Sequence, residues 1–283
     1  MPGPDGGPPA RRAAAGRGAV RSDKVTAIRR LANRSFRQKV ERFLVEGPQA
    51  VREAVRCRPD AVADVFVAEG ATGASVEVAE EAAAAGLAIV TVPEPVLLAM
   101  TETVHPQGIA AVCRFIDVPL AASLPETVRL AVILEAVRDP GNAGTVWRTA
   151  DAAGADAVMF AEECVDPYSG KVVRSTAGSL FHVPMVRDVP VADAIAAAKE
   201  RGLTVLAADV RGGLDLWQAE ESGLLAKPTA WLFGNEARGL TAEALALADH
   251  AVAIPIAGRA ESLNLASAAA ICVYSSLRCA QRT

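Results

Sequence analysis

The run VRLAVILEAV (Val128–Val137) is apolar on both faces of any strand it forms, and this constrains the fold more than any other feature of the chain. A strand buried on one face alternates apolar and polar residues. A strand buried on both faces reads as a continuous apolar run and belongs inside a parallel sheet with helices on either side. Comparable runs recur further along, in DAVMFA, HVPMV, LTVLAAD, TAWLFG and HAVAIP, with helical patterns between them and a last, Ala-rich helix over about 262–278. This alternation predicts an α/β domain over 128–283, its parallel sheet covered on both faces, and the chain has no internal repeats.

The same alternation occurs upstream on a smaller scale. FLVEGPQAVREAV reads as a short strand, a Gly-Pro break and a helix over about 48–56. AVADVFVAE, LAIVTV and IAAVCRF follow as strands, with an Ala/Glu-rich helix to about Ala85 and a short helix near Pro95–Met100. They predict a compact unit over 22–116 with parallel or mixed strands. DVPLAASLPET (Asp117–Thr127) is Pro-rich and has no period, so 117–127 is the expected linker. Residues 1–21, rich in Pro, Gly, Ala and Arg, are expected to form a disordered basic arm, since they lack the apolar core of a signal peptide. No stretch approaches the roughly 18–20 apolar residues that span a bilayer. A cytoplasmic protein without a membrane partner is therefore expected.

The net charge of −4 hides an asymmetry. Residues 1–60 carry 14 Lys and Arg against 6 Asp and Glu, which leaves 15 against 27 for the remainder. A basic front on an acidic body suits a polyanionic partner, although a solvated helix face reads the same way. Ser22–Arg37 has the pattern of one amphipathic helix, with Val25, Ile28, Leu31 and Ala32 on one face and Arg29, Arg30, Arg34 and Arg37 on the other. The five cysteines and three histidines are scattered without metal-ligand spacing, so reduced thiols and no metal site are expected.

Three loops carry polar residues where a plain turn needs none, each following an apolar strand. In open α/β sheets ligands bind beyond the carboxyl ends of the strands, so these loops are the candidate site. In RDPGNAGTVWRTADAAGAD (138–156), Pro140 and Gly141 turn the chain and a helix starts near Asn142 with free N–H groups. Arg148, six residues on, can reach a phosphate or a reacting ribose. The loop lacks the Gly-Lys-Ser/Thr ending of a nucleotide-binding P-loop. In LFGNEARGL (232–240), Gly234 permits close backbone approach, and Glu236 can hold a hydroxyl or orient Arg148; a helix-entry loop reads alike. In IPIAGRAESLNLASAAA (254–270), Ser262 and Asn264 stand at the start of the last helix, where either would also serve as an N-cap.

Together the loops spell DPxNxGxxxRTAxxxG, FGxExxGL and IPxxGxxxSLNxAxA, in that order. This set resembles the three motifs of the SpoU (TrmH-like) RNA ribose 2′-O-methyltransferases of the SPOUT superfamily, and it covers the whole second domain. FLVEGPQAVREAV and HPQGIAAV are similar to the small ribosomal-protein-like domain that precedes the catalytic domain in the rRNA-directed branch. The resemblance implies a deep trefoil knot near the C-terminal end, S-adenosylmethionine as cofactor, ribosomal RNA as substrate and a homodimer through the knotted region. It also implies a cofactor pocket formed by Leu206, Ala207, Asp209, Gly234, Asn235, Ile254, Ile256 and Leu263. Arg148 becomes the candidate proton acceptor or alkoxide stabiliser, positioned by Asn142, Glu236, Ser262 and Asn264, while Arg29, Arg30, Arg34 and Arg37 become RNA-docking residues. The modification itself would serve ribosome maturation or resistance to a ribosome-targeting antibiotic; the alternatives are a tRNA-directed 2′-O-methyltransferase and a catalytically silent RNA-binding or assembly factor.

Overall fold

The computed structural model describes residues 22–282, and the basic arm expected over 1–21 lies outside them. The first half contains α1 (Ser22–Arg29), a 3-10 turn (Arg30–Ala32), α2 (Arg34–Val40), β1 (Arg42–Glu46), α3 (Pro48–Cys57), β2 (Val62–Ala68), α4 (Ala74–Ala84), β3 (Ile89–Val92), α5 (Glu94–Met100) and β4 (Ile109–Arg114). Its four strands lie in the order β1-β4-β2-β3, with β4 antiparallel to both neighbours and β2 parallel to β3, so the sheet is mixed.

The single helix expected over Ser22–Arg37 is broken. Asn33 takes extended backbone, and its side chain accepts the N–H of Phe36, which caps a new helix there. Asn and Asp compete with helix continuation by bonding nearby backbone in this way. The break rotates α2 relative to α1, and Arg37 turns inward while Arg29, Arg30 and Arg34 stay at the surface.

The second half contains β5 (Leu130–Leu134), α6 (Pro140–Ala152), β6 (Ala157–Ala161), α7 (Gly170–Thr176), β7 (Met185–Val189), α8 (Val191–Glu200), β8 (Thr204–Ala208), β9 (Leu214–Asp215), α9 (Leu216–Glu221), β10 (Thr229–Phe233), α10 (Ala242–Leu247), β11 (His250–Ala253) and α11 (Leu265–Ala280). The order is β7-β6-β5-β10-β8-β11-β9, and every pair is parallel. Every residue of β5, β6 and β10 is buried, as their unbroken apolar runs require. One face packs on α6, α7 and α11 around Trp147 and Trp231; the other packs on α8 and α10. The Trp231 indole donates to Ser276 Oγ at 2.9 Å, which satisfies the one polar atom that this large ring buries between β10 and α11. Gly144 brings α6 against α7, since a Cβ there would stand 2.5 Å from Ser175 Cβ and 2.8 Å from the Val172 carbonyl.

The two sheets share one core. Phe43 of β1 lies 4.7 Å from the Tyr168 ring and 6.3 Å from Phe181, and Phe115 stacks on Tyr168 at 4.0 Å. The Tyr168 hydroxyl accepts the N–H groups of Ile116 and Asp117 and donates to Asp117 Oδ1, each at 2.7 Å. The segment 117–127 is therefore strapped to the second sheet. Val118 N–H also bonds the Met185 carbonyl, and Ser123 and Leu124 are buried. Among the described residues no helix is long and apolar enough to cross a membrane.

Candidate active site

The carboxyl ends of β8, β10 and β11 surround a cavity of about 290 Å³. Phe233, Val252, Ile254, Ile256, Leu263 and Leu265 supply apolar wall, and Asp209, Asn235, Glu236 and Ser262 supply polar edge. The volume sits at the small end of ligand pockets, which run from roughly 300 Å³ upward. Leu206 and Ala207, expected in the wall, are not there. Both lie inside β8 with no exposed surface, one on each face of the sheet, and the lining starts at Ala208 where the strand ends.

Gly234 lines the cavity, and the packing of its own loop also requires a glycine there. A Cβ at this position would lie 2.5 Å from the Gly239 carbonyl carbon and from Leu240 N, because the loop folds back on itself. Asn235 holds that fold. It exchanges two backbone bonds with Gly239, accepts the N–H groups of Ala237 and Arg238 on Oδ1, and donates Nδ2 to the Ala136 carbonyl at 2.8 Å. Next to Gly239, the Arg211 guanidinium beside Asp209 holds its carboxyl below the usual carboxylate range, so this edge carries an ion pair. Arg211 and Arg238 line the cavity too and were missed in the sequence, although Arg238 stands inside the second motif.

A chain of side chains ties the three loops together. Asn264 Nδ2 donates to Asn142 Oδ1 at 3.0 Å, and Asn142 Nδ2 donates to Glu236 Oε1 at 3.2 Å. Glu236 also accepts the N–H groups of Arg138 (3.1 Å) and Asp139 (3.0 Å), at the entrance to α6. Burial opposes the Glu236 charge, but its own backbone N–H, that of Arg138, the Asn142 amide and the Asp139 N–H outweigh it and hold the carboxyl below its ordinary range. Glu236 is thus an ionised acceptor whose oxygens are engaged by the α6 entrance, and it makes no bond to Arg148. Asn264 is the N-cap of α11, its Oδ1 accepting Ala266 and Ser267 N–H, and its amide nitrogen also reaches Asn142. Ser262 is exposed on the cavity edge.

Arg148 stands apart from this cluster. It is exposed, has no hydrogen-bond or ion-pair partner among the described residues, and does not line the cavity. Six residues along a helix is a rotation of about 240°, so α6 presents Arg148 away from Asn142. Arg37 corrects the expected docking face. It is 3% exposed and donates to Asp166 Oδ2 at 2.6 Å and to the carbonyls of Leu31 and Ala32 at 2.6 and 2.9 Å, which leaves it no reach to RNA. Arg30 lies over the Phe36 ring at 4.1 Å, and Arg34 pairs loosely with Asp188 at 3.3 Å.

Residues 129–274 match the SpoU rRNA Methylase family, and residues 44–118 match the RNA 2′-O ribose methyltransferase substrate binding domain. The 23S rRNA (guanosine(2553)-2′-O)-methyltransferase RlmP of Bacillus subtilis is 36% identical over 257 residues, covering 90% of this chain and 96% of its own. An AdoMet-bound rRNA methyltransferase from Sinorhizobium meliloti superposes with a TM-score of 0.77 at 32% identity, covering 92% of this chain and 96% of its own. The SpoU methyltransferase AviRb from Streptomyces viridochromogenes, in complex with AdoMet, superposes at 0.78 with 29% identity, covering 92% and 98%.

Proposed function

The chain belongs to the SpoU rRNA methylase family, and from that premise we propose that it methylates a ribose 2′-hydroxyl of large-subunit ribosomal RNA in the cytoplasm. The observation that carries this reading is the Asn264–Asn142–Glu236 chain, which joins all three motif loops beside a cavity of ligand size. Residues 22–116 dock the RNA, 128–283 carry the chemistry, and 117–127 connect them. The interleaved order β5-β10-β8-β11 supports the knotted path that the family resemblance implies.

The apolar wall of Ile254, Ile256 and Leu263 and the polar edge at Asp209, Asn235 and the Gly234 backbone fit S-adenosylmethionine, an amphipathic molecule with an adenosine and a charged amino-acid end. When bound, it supplies an electrophilic methyl group. The chain's own residues must align the ribose oxygen and manage its proton. Glu236, being ionised and engaged with backbone, holds the entrance of α6 and keeps Asn142 facing Asn264. Ser262 and Asn264 then position the nucleotide. Arg148 stays cationic, grips a phosphate and stabilises the developing alkoxide. Since α6 turns Arg148 away from the cavity of its own copy, a homodimer through the knotted region is the arrangement that brings it to a reacting ribose. Arg29, Arg30 and Arg34, all exposed, make sequence-independent phosphate contacts.

Labelled methyl transfer from S-adenosylmethionine to unmethylated large-subunit, small-subunit and transfer RNA tests the proposal, with primer extension at limiting dNTP to place the block. A single stop in large-subunit RNA is expected, and its position separates ribosome maturation from antibiotic protection. Transfer to transfer RNA alone, or cofactor binding without transfer to any RNA, overturns the reading.

A further inference from the structure

We propose that Glu53, Cys57 and His182 form a binding site for a thiophilic divalent ion of the zinc class, with Asp151 holding the imidazole in place. Glu53 and Cys57 stand four residues apart on one face of α3, while His182 follows the 3-10 turn Ser179–Phe181 in the other half of the molecule. One ligand atom from each lies within 4.8 Å of the other two. His182 Nε2 is 3.1 Å from Glu53 Oε2, and Cys57 Sγ is 3.9 Å from the same oxygen. A tetrahedral zinc ion with ordinary bond lengths separates its ligand atoms by roughly 3.3–3.8 Å, so small side-chain adjustments close the site.

The support behind these three residues has the form that metal sites use. A ligating histidine usually donates its other ring N–H to a carboxylate, which fixes the tautomer and aims the free lone pair at the metal. Asp151 Oδ2 lies 2.8 Å from His182 Nδ1, the distance that such a donation takes, and Nε2 faces Glu53 at 3.1 Å. The seat is also shaped by a glycine. Gly178 takes φ +106°, and a Cβ there would stand 2.6 Å from Glu53 Cγ, so a side chain would push Glu53 out of the cluster. One thiolate, one imidazole and one carboxylate favour zinc-class ions over magnesium or calcium, and three protein ligands leave the fourth position to water. Cys57 is exposed, which provides entry from solvent, and as the metal binds its thiol proton leaves to solvent together with the Nε2 proton that His182 holds against Glu53.

Such an ion clamps α3 of the first half to the His182 turn of the second. Its supporting Asp151 sits on α6 just under one turn from Arg148, so occupancy stiffens the helix that carries the candidate catalytic arginine. Scattered spacing concealed this site from the sequence, where Cys57 and His182 lie 125 residues apart.

The test is titration of the full, tag-free, chelator-stripped chain with Co2+, followed optically, and then displacement by Zn2+. One equivalent is expected to give tetrahedral cobalt bands with a thiolate charge-transfer band that Zn2+ abolishes. Cys57→Ser, at an exposed position and with unchanged far-UV circular dichroism, should lose the thiolate band. Asp151→Asn should weaken binding about 10- to 100-fold. Zn2+ should also raise the thermal midpoint of the unsubstituted chain and leave that of Cys57→Ser unmoved. A thiolate band that survives Cys57→Ser, or no saturable binding of either ion, overturns the proposal.

Discussion

The seam between the two sheets and the rim of the cavity are built from similar residues used in opposite ways. At the seam, Arg37 spends its donors on Asp166 and two carbonyls, the Tyr168 hydroxyl makes three bonds, and the Glu46 carboxylate, 5% exposed, accepts from Glu102 and Thr103 and pairs with Arg174. At the rim, Ser262 is exposed, and Arg148 beyond it meets no partner among the described residues. Burying a polar group without partners is costly, so the seam must be satisfied internally. A site that meets a charged substrate must keep some of its groups free. The contrast separates the arginines that hold the fold from those left at the surface.

The largest expected effect lies at the seam. Arg37→Ala leaves Asp166 buried without its partner and should cost about 3–5 kcal/mol of stability, read as a lower urea midpoint. An unchanged midpoint would erase the distinction between the two regions. Arg148→Ala should do the reverse. Methyl transfer falls by about 10²–10³-fold, as when one electrostatic stabiliser is removed, while the urea midpoint and cofactor affinity hold; retained activity would remove Arg148 from the mechanism. Tyr168→Phe keeps the ring stack and deletes the hydroxyl that fastens Ile116 and Asp117, so a loss of about 1–3 kcal/mol is expected by thermal denaturation, with single-turnover transfer unchanged. The smallest effect on the protein itself is that of Arg29→Glu with Arg30→Glu. These reversals should weaken RNA binding and flatten its salt dependence by roughly 0.7–0.9 for each phosphate left unneutralised, with Tm and cofactor affinity intact. Equal losses of RNA and cofactor binding would instead point to a folding defect.

β5, β6 and β10 were legible because their signal is local: a continuous apolar run buries on both faces wherever it lies. β7 runs over Met185–Val189, shifted from the expected HVPMV, and carries the exposed Asp188. The dipeptide strand β9 has too few residues to carry such a signal. The three motif loops were legible as a candidate site, and Asn142, Glu236 and Asn264 do meet, but how they meet was not. Glu236 turned out to hold the α6 entrance, since its partners are backbone groups that sequence leaves unmarked. Arg37 was misread because a break at Asn33, set by one side-chain bond, rotates everything after it. Leu206 and Ala207 were misplaced because an apolar run does not announce where a strand stops lying in the sheet and starts lining a cavity.

The strand order sets a timetable for the ribosome that makes this chain. β10, at 229–233, fills the centre of the second sheet between β5, at 130–134, and β8. Its neighbour β5 emerges some 95 residues earlier, which at about 5–20 residues per second leaves the open edge of a wholly apolar strand waiting on the order of 5–20 s. An unpaired edge of that kind is a template for association with other chains. The nascent chain therefore keeps that edge open until its tenth strand arrives.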